Sequence, residues 1–165
     1  MNEVPLFSSL NIKSITLRNR IVLSPMCQYK AKDGMISDWH LQHYSRFAFS
    51  GLGAAFIEAT GVSPEGRIGH GCTGIWSDDH IEGLSKIAKT FKEYNCVSGI
   101  QLAHAGRKAS FLRPWDGASP ITIDDKKEPA WQTIGPSAIP INENSPVPRE
   151  MSLEDINLSL IHILT

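Results

Sequence analysis

The sequence predicts an α/β fold in which buried parallel strands alternate with helices. Two near-continuous apolar runs, at 54–62 and 97–106, are typical of strands that are covered on both faces. Amphipathic helical patterns precede them, at 38–53 and 77–95, so strands and helices alternate along the chain. This alternation indicates a parallel sheet with helices packed against it.

Composition and charge are those of an ordinary globular protein with one domain. The 165 residues are 41% hydrophobic, and 16 basic against 17 acidic residues give a net charge of -1. Because no block of like charge occurs, we expect no nucleic-acid partner and no acidic membrane surface. No apolar run approaches the roughly 20 residues of a membrane span and no leader pattern is present, so we expect a cytoplasmic protein. Three cysteines without Cys-x-x-Cys spacing predict reduced thiols and no zinc site.

The first elements follow from local patterns. Alternating apolar and polar residues at 6–20 predict a small hairpin that turns at Lys13 and Ser14. Residues 21–26 predict the first strand of the main sheet. That strand is expected to end at Pro25, because proline cannot donate to a sheet ladder.

Start and stop signals support the two helices. Gly51 and Gly53 are stop signals for the helix over 38–53. The helix over 77–95 opens with a serine and aspartate cap and carries lysines towards its end, where the helix dipole favours them.

A long irregular segment follows the third strand. Residues 107–150 contain seven of the ten prolines, and such a length is well beyond an ordinary connection. Trp115 and Trp131 indicate a functional excursion rather than a disordered linker. Ser152 is the predicted N-cap of a further helix.

Polar and sulfur-containing side chains follow each predicted strand, and in parallel βα folds these positions meet at one rim. Amide, hydroxyl and thiol groups beside a polarizable methionine suit a flat ring rich in heteroatoms, whereas a carboxylate pair or a metal cluster is not indicated. The rim residues are Ser24, Pro25, Met26, Cys27 and Tyr29 from the first strand, Glu58, Ala59 and Thr60 from the second, and Gln101, His104 and Arg107 from the third.

Several of these residues have competing interpretations. His40 and His43 stand three apart on a helix, but a third ligand is not evident, and no metal is predicted. Glu58 is either a general base or a structurally paired carboxyl group. His104 either faces a ligand or caps its strand.

Four blocks in order resemble the N-terminal part of the old yellow enzyme family, within it the NADPH dehydrogenase and xenobiotic reductase branch. The blocks are LFSSLNIKSITLRNRIVLSPMCQY, EATGVSPEGRI, GIWSDDHIEGL and GIQLAHAGRKAS, and the resemblance covers about residues 6–157. It implies an FMN-dependent (β/α)8 TIM barrel, of which this chain holds the N-terminal part with about three βα units. The implied reaction takes a hydride from NADPH and reduces an activated C=C bond.

The resemblance also implies roles for individual residues. Cys27 would tune the flavin reduction potential, and Tyr29 would face a small-molecule alkene substrate. A homo-oligomer is implied for the full-length protein. The residues implied to contact the flavin are Ser24, Pro25, Met26, Cys27, Ala59 and Gln101.

A complete barrel needs eight strands and about 250 residues. The substrate-binding histidine pair and the flavin-binding arginines of the family have no counterpart in this sequence, so we expect the isolated chain to be inactive. The alternative is a catalytically inactive flavin-barrel fragment or scaffold. A phosphate-binding TIM barrel without flavin would require a lysine or acidic cluster at the strand ends, which the sequence does not offer.

The last residues do not continue the resemblance. Residues 158–165 read LSLIHILT, and the translated end of a common sequencing transposon adapter gives Leu-Ser-Leu-Ile-His-Ile. We therefore predict that residues 1–157 belong to the barrel and that 158–165 form a non-native tail.

Overall fold

The computed structural model describes residues 4–122, 124–125 and 128–157. The predicted tail at 158–165 lies outside these ranges. The strands are β1 Leu10–Ile12, β2 Ile15–Leu17, β3 Val22–Leu23, β4 Ala54–Gly61, β5 Thr73–Gly74, β6 Val97–Ala103, β7 Ile134–Gly135 and β8 Arg149–Glu150. The helices are α1 Asp38–Phe49 and α2 Ile81–Glu93. Of the helices in the described ranges, none has the length and apolar character needed to cross a bilayer.

Strand β4 is the centre of a four-stranded parallel sheet. On one edge, β6 pairs with it along its whole length, and on the other edge β3 pairs with its first residues. The short strand β5 pairs with the end of β4 through Thr60 and Thr73, and the sequence pattern did not predict it. The parallel sheet itself was predicted and is confirmed.

Both helices begin and end where their signals placed them, to within a few residues. Helix α1 is followed by Ser50 and then by Gly51, whose φ of +86° lies in the left-handed region that favours glycine. Ser77 accepts a hydrogen bond from the Asp79 N–H at 3.3 Å and opens a short 3-10 turn that leads into α2. The predicted start at Ser77 therefore belongs to this turn, and α2 proper begins at Ile81.

The hydrophobic core lies between the two helices and one face of the sheet. The rings of Tyr44 and Phe91 meet edge to face, with centroids 6.0 Å apart. Because one face of β4 is covered in this way, the other face is left for a site. The buried core residues are Tyr44 and Ala48 of α1, Ala55 and Ile57 of β4, Ile87 and Phe91 of α2, and Cys96.

Two strand predictions need correction. The first strand was predicted over 21–26, but β3 stops at Leu23. Proline lacks the N–H that would continue the ladder, and the chain from Ser24 to Cys27 belongs to no strand. The third strand was expected to be buried on both faces, yet Leu102 of β6 is 49% exposed, because β4 is its only strand partner within the described residues.

The flanking segments agree with their predictions. The hairpin is formed by β1 and β2, which pair antiparallel around Lys13 and Ser14. The long excursion contains the short parallel pair β7 and β8. Ser152 caps a helical turn at 153–157, where its Oγ accepts a hydrogen bond from the Asp155 N–H at 3.1 Å.

The core predicts a test of the fold. Phe91→Ala should lower the free energy of unfolding by about 3–5 kcal/mol, because it removes a fully buried ring and leaves a cavity. Ile81→Ala on the same helix is the matched control, since Ile81 is 54% exposed, and should change it by less than about 0.5 kcal/mol. Urea unfolding followed by circular dichroism measures both, and equal effects would contradict this core.

Candidate active site

Two predicted rim residues are direct neighbours in the sheet. Ala59 of β4 and Gln101 of β6 are register partners. Ile100 packs against the core, so by alternation Gln101 and its partner Ala59 lie on the opposite face, away from the helices. The backbone N–H of Ala59 also hydrogen-bonds the sulfur of Cys27. The three strand ends therefore bring Cys27, Ala59 and Gln101 to one rim.

A β-bulge in β4 makes this arrangement. The register shifts between Ile57 and Ala59, so Glu58 is an extra residue without a partner on β6. Ile57 faces the core, and in a regular strand Glu58 would point to the other face. Its side chain instead contacts Tyr44 of α1 and is fully buried. The bulge thus returns Ala59 to the face that carries Gln101.

Glu58 makes three hydrogen bonds to two residues, two through its buried carboxyl group and one through its backbone N–H. The Gln28 N–H donates to Oε1 at 3.1 Å, and the Tyr44 hydroxyl donates to Oε2 at 3.1 Å. The unpaired N–H of Glu58 in turn donates to the Tyr44 oxygen at 2.8 Å. Burial, and then the adjacent Glu58, raise the pKa of Tyr44, so its phenol keeps the proton that it donates. The geometry favours the structural role of Glu58 over a general base.

His40 is a further buried side chain that lies next to this carboxyl group. The Ser37 N–H donates to His40 Nδ1 at 3.1 Å, so Nδ1 is the acceptor and Nε2 carries a hydrogen. Nε2 lies 3.8 Å from Glu58 Oε2, and no described residue makes a hydrogen bond with it. Among the described residues, no three His, Cys, Asp or Glu side chains are grouped as metal ligands.

The same local motif occurs at the second helix. The Ser77 N–H donates to His80 Nδ1 at 3.2 Å, and His80 Nε2 donates to the Asp33 carbonyl at 3.0 Å. The sequence analysis did not predict that His40 and His80 cap these helices. The signal was present as S-D-x-H at 37–40 and again at 77–80. In both copies the histidine caps its own helix with one nitrogen and points the other at a neighbouring segment.

The thiols of Cys27 and Cys72 are hydrogen-bonded to each other across two loops. This bond, together with burial and the nearby Glu58, raises the pKa of Cys27. The two segments are also joined by the Ala31 N–H, which donates to the Gly71 carbonyl at 2.9 Å. Cys72 was not among the predicted rim residues, because it lies in the loop before the unpredicted strand β5.

Tyr29 has the unusual backbone of this loop, with φ of 53° in the left-handed region. Arg113 Nε donates to its carbonyl oxygen at 3.3 Å, and a Cβ at Gly71 would collide with the same oxygen. The Trp115 ring meets the Tyr29 ring edge to face, with centroids 5.8 Å apart. Burial, and then Cys27, raise the pKa of Tyr29 to about 12, so it is a neutral phenol at ordinary pH.

Cations between aromatic rings attach the long excursion to the rim. The Lys30 ammonium lies 5.2 Å from the Trp39 ring and 5.5 Å from the Trp115 ring. The predicted functional excursion therefore reaches the segment that carries Tyr29. Trp115 was singled out from the sequence, but its contact with Lys30 was not predicted.

A second cation anchors the excursion near the end of β4. The Arg67 guanidinium lies 5.2 Å from both Trp76 and Trp131. Trp131 Nε1 also donates to the Glu65 carbonyl at 2.9 Å. Arg67 therefore contacts the excursion through Trp131.

Four further predicted rim residues follow strands β3 and β6 in the chain. Ser24 and Met26 are exposed, and Pro25 is half-buried between them. His104 Nδ1 accepts a hydrogen bond from the Gly106 N–H at 3.1 Å, which caps the turn after β6. Contact of these residues with a flavin stays a prediction.

Comparison with known proteins decides the family. The sequence model of the NADH:flavin oxidoreductase / NADH oxidase family matches residues 5–161. The chain belongs to this family. It is 46% identical over 158 residues to an NADPH dehydrogenase of Geobacillus thermodenitrificans, covering 94% of this chain and 41% of that protein. It is 42% identical over 153 residues to an NADPH dehydrogenase of Bacillus subtilis, covering 92% and 40%.

Solved structures show the same fold in this family. The old yellow enzyme from Trypanosoma cruzi superimposes with a TM-score of 0.75 at 26% identity, over 96% of this chain and 45% of that one. The chain thus spans about two-fifths of the length of the curated relatives it matches. Its parallel sheet with helices on one face is part of a (β/α)8 barrel, which confirms the predicted fold class.

The hydrogen bonds around Glu58 predict the cost of removing one hydroxyl. Tyr44→Phe should lower the free energy of unfolding by about 1–3 kcal/mol, because it leaves a buried N–H and a carboxyl oxygen without partners. Tyr94→Phe is the matched control, since Tyr94 is 43% exposed, and should change it by less than about 0.5 kcal/mol. Urea unfolding of both variants gives the comparison, and an unchanged midpoint in Tyr44→Phe would refute the network.

The environment of Tyr29 predicts a late titration. Its pKa of about 12 in the folded chain exceeds the ordinary value near 10, so the folded state holds the proton more tightly. The stabilisation is complete below about pH 10 and is lost as the pH rises through about 12. Phenolate absorbance should lose its step near pH 12 in Tyr29→Phe and keep it in Tyr94→Phe. Persistence of that step in Tyr29→Phe would contradict the assignment.

Proposed function

We propose that this chain forms part of an FMN-dependent oxidoreductase that takes a hydride from NADPH and reduces activated C=C bonds of small molecules. Enones and similar electrophiles are the substrate class. The observation that carries the proposal is the convergence of Cys27, Ala59 and Gln101 on one rim of a parallel sheet. The relatives from Geobacillus thermodenitrificans and Bacillus subtilis are NADPH dehydrogenases, which indicates NADPH as the hydride donor.

The chemistry of the rim fits a flavin ring. The exposed Gln101 amide has a donor and an acceptor side by side, as a pyrimidine edge requires. Met26 is 47% exposed and offers a polarizable surface, and Ala59 presents only a methyl group to a flat ring. No carboxylate of the network interferes, because the bulge buries Glu58 on the other side of the sheet. Ser24, Pro25, Met26, Cys27, Ala59 and Gln101 are the residues proposed to hold the cofactor.

When bound, FMN supplies two-electron hydride chemistry, which no side chain of this chain can supply. Cys27 places its sulfur at the rim, where the Ala59 N–H orients it. Tyr29 holds a proton on its hydroxyl at neutral pH, so it is suited to donate a hydrogen bond to a substrate oxygen. Trp115 packs against the Tyr29 ring and limits its movement.

The alternative is a catalytically inactive flavin-barrel fragment or scaffold. It is supported by the exposed Gln101 and Leu102 of β6, which no other described strand covers. A cytoplasmic location and a homo-oligomer of the full-length protein stay predictions.

A chimera separates these functions. In the chimera, residues 1–157 of this chain replace the matched part of the Geobacillus thermodenitrificans NADPH dehydrogenase. Its binding of FMN and its oxidation of NADPH with an enone as acceptor are then measured. We expect stoichiometric FMN and turnover from the chimera and none from the isolated chain. A folded chimera that binds FMN without turnover would favour the scaffold, and one without FMN would overturn both.

A single amide tests the contact with the ring. Gln101→Ala in the chimera should weaken FMN binding about tenfold, because a hydrogen-bonding amide contributes about 1–1.5 kcal/mol. Gln42→Ala on the exposed side of α1 is the matched control and should leave the dissociation constant unchanged. Equal affinities of the two variants, measured by quenching of flavin fluorescence, would exclude Gln101 from the site.

A further inference from the structure

Two of the three thiols face each other at the rim, and the third lies elsewhere. Cys27 is half-buried in the loop after β3, whereas Cys72 is 1% exposed just before β5, and their side chains are hydrogen-bonded. Cys96 is buried in the core beneath the helices, at the start of β6. The pair is therefore built from two segments far apart in sequence.

Backbone contacts hold both segments in register. The Ala31 N–H donates to the Gly71 carbonyl, and Gly34 forms a parallel bridge with Thr73. The Thr73 hydroxyl is in turn hydrogen-bonded to Thr60 at 3.0 Å. Cys72 lies between Gly71 and Thr73, so its position is fixed on both sides. The pairing of the two loops therefore holds the two sulfurs close to each other.

We propose that Cys27 and Cys72 form a reversible intramolecular disulfide when the protein meets hydrogen peroxide, which makes the pair an oxidation site of this chain. The site is separate from the proposed hydride transfer and does not require bound flavin. Its consequence is that the Cys27 sulfur is withdrawn from the rim and bonded to the neighbouring loop.

The reaction begins at the more accessible sulfur. A hydrogen bond from the Cys27 thiol, with the backbone at Gly69 and Ile68, lowers the pKa of Cys72 against the opposing effect of burial. One of the two thiols therefore loses its proton more readily than an isolated buried thiol would. When the shared proton moves from Cys27 to Cys72, the negative charge lies on the half-buried Cys27 sulfur, which is the more accessible of the two.

Atoms and electrons balance in two steps. The Cys27 thiolate attacks one oxygen of the peroxide, the O–O bond breaks, and Cys27 sulfenic acid and hydroxide form. That hydroxide takes the proton from Cys72 and becomes water. The Cys72 thiolate then attacks the Cys27 sulfur, the S–S bond forms, and the S–O bond breaks with loss of hydroxide. Two thiol sulfurs are oxidised and one peroxide is reduced.

Peptide mapping of the reduced 165-residue chain tests the pair. After a small excess of hydrogen peroxide, free thiols are alkylated and the protein is digested with trypsin. The three cysteines fall in separate peptides, 21–30, 68–86 and 93–107. We expect a cross-link of 21–30 to 68–86 that has lost two hydrogen atoms and is released by dithiothreitol, with 93–107 alkylated.

The same treatment in urea gives the reference for an unfolded chain. Folded protein should give at least about tenfold more of the Cys27–Cys72 cross-link relative to cross-links of Cys96, since only approaching sulfurs can be bridged. Equal ratios in buffer and urea would overturn the proposal. Disulfide-linked dimers, or Cys27 oxidised to sulfinic acid without a cross-link, would overturn it as well.

Two variants keep the result specific. Cys96→Ser should retain the cross-link, because Cys96 lies outside the pair. Cys72→Ser should abolish it and leave Cys27 as a sulfenic acid that reacts with dimedone, since the second thiol is absent. Loss of the cross-link in Cys96→Ser, or no sulfenic acid in Cys72→Ser, would contradict the mechanism.

Discussion

The buried carboxyl group of Glu58 is the constraint on which the rest of the site depends. A polar group in the interior costs several kcal/mol unless it is hydrogen-bonded. Its partners come from helix α1, through Tyr44, and from the loop after β3, through the Gln28 N–H. Satisfying one side chain therefore ties the central strand to two other segments. The loop that carries Cys27 and Tyr29 is held in place by its neighbour Gln28.

The bulge at Glu58 determines which side chains of β4 face the helices and which face the rim. The extra residue lets two consecutive side chains of β4, Ile57 and Glu58, both face the helices, so that Ala59 lies on the face that carries its register partner Gln101. It also leaves the Glu58 N–H outside the sheet ladder, and this N–H donates a hydrogen bond to the Tyr44 hydroxyl oxygen. A residue without a hydroxyl at position 44 would leave two polar groups unpaired. Bulges are common next to active sites for this reason, since they re-aim a side chain.

Local patterns predicted the elements that local chemistry controls. The stop at Gly51, the cap at Ser77 and the hairpin turn at Lys13 each depend on neighbouring residues alone. The bulge at Glu58 leaves no local sign, because AAFIEATG is equally compatible with a regular buried strand. The contact of Cys27 with Cys72 depends on the pairing of two distant loops, which periodicity does not encode.

The exposed side of β6 explains why cofactor binding and completion of the sheet are coupled in this architecture. Gln101 is held by β4 on one edge, and within the described residues no strand holds the other edge. Phe56 and Leu102 remain 38% and 49% exposed on the same two strands. An amide on a strand with one partner has more freedom than a ring contact tolerates, so part of any binding free energy is spent in ordering it. A strand paired with the free edge of β6 would bury Leu102 and fix Gln101 at the same time, which links affinity for the ring to folding.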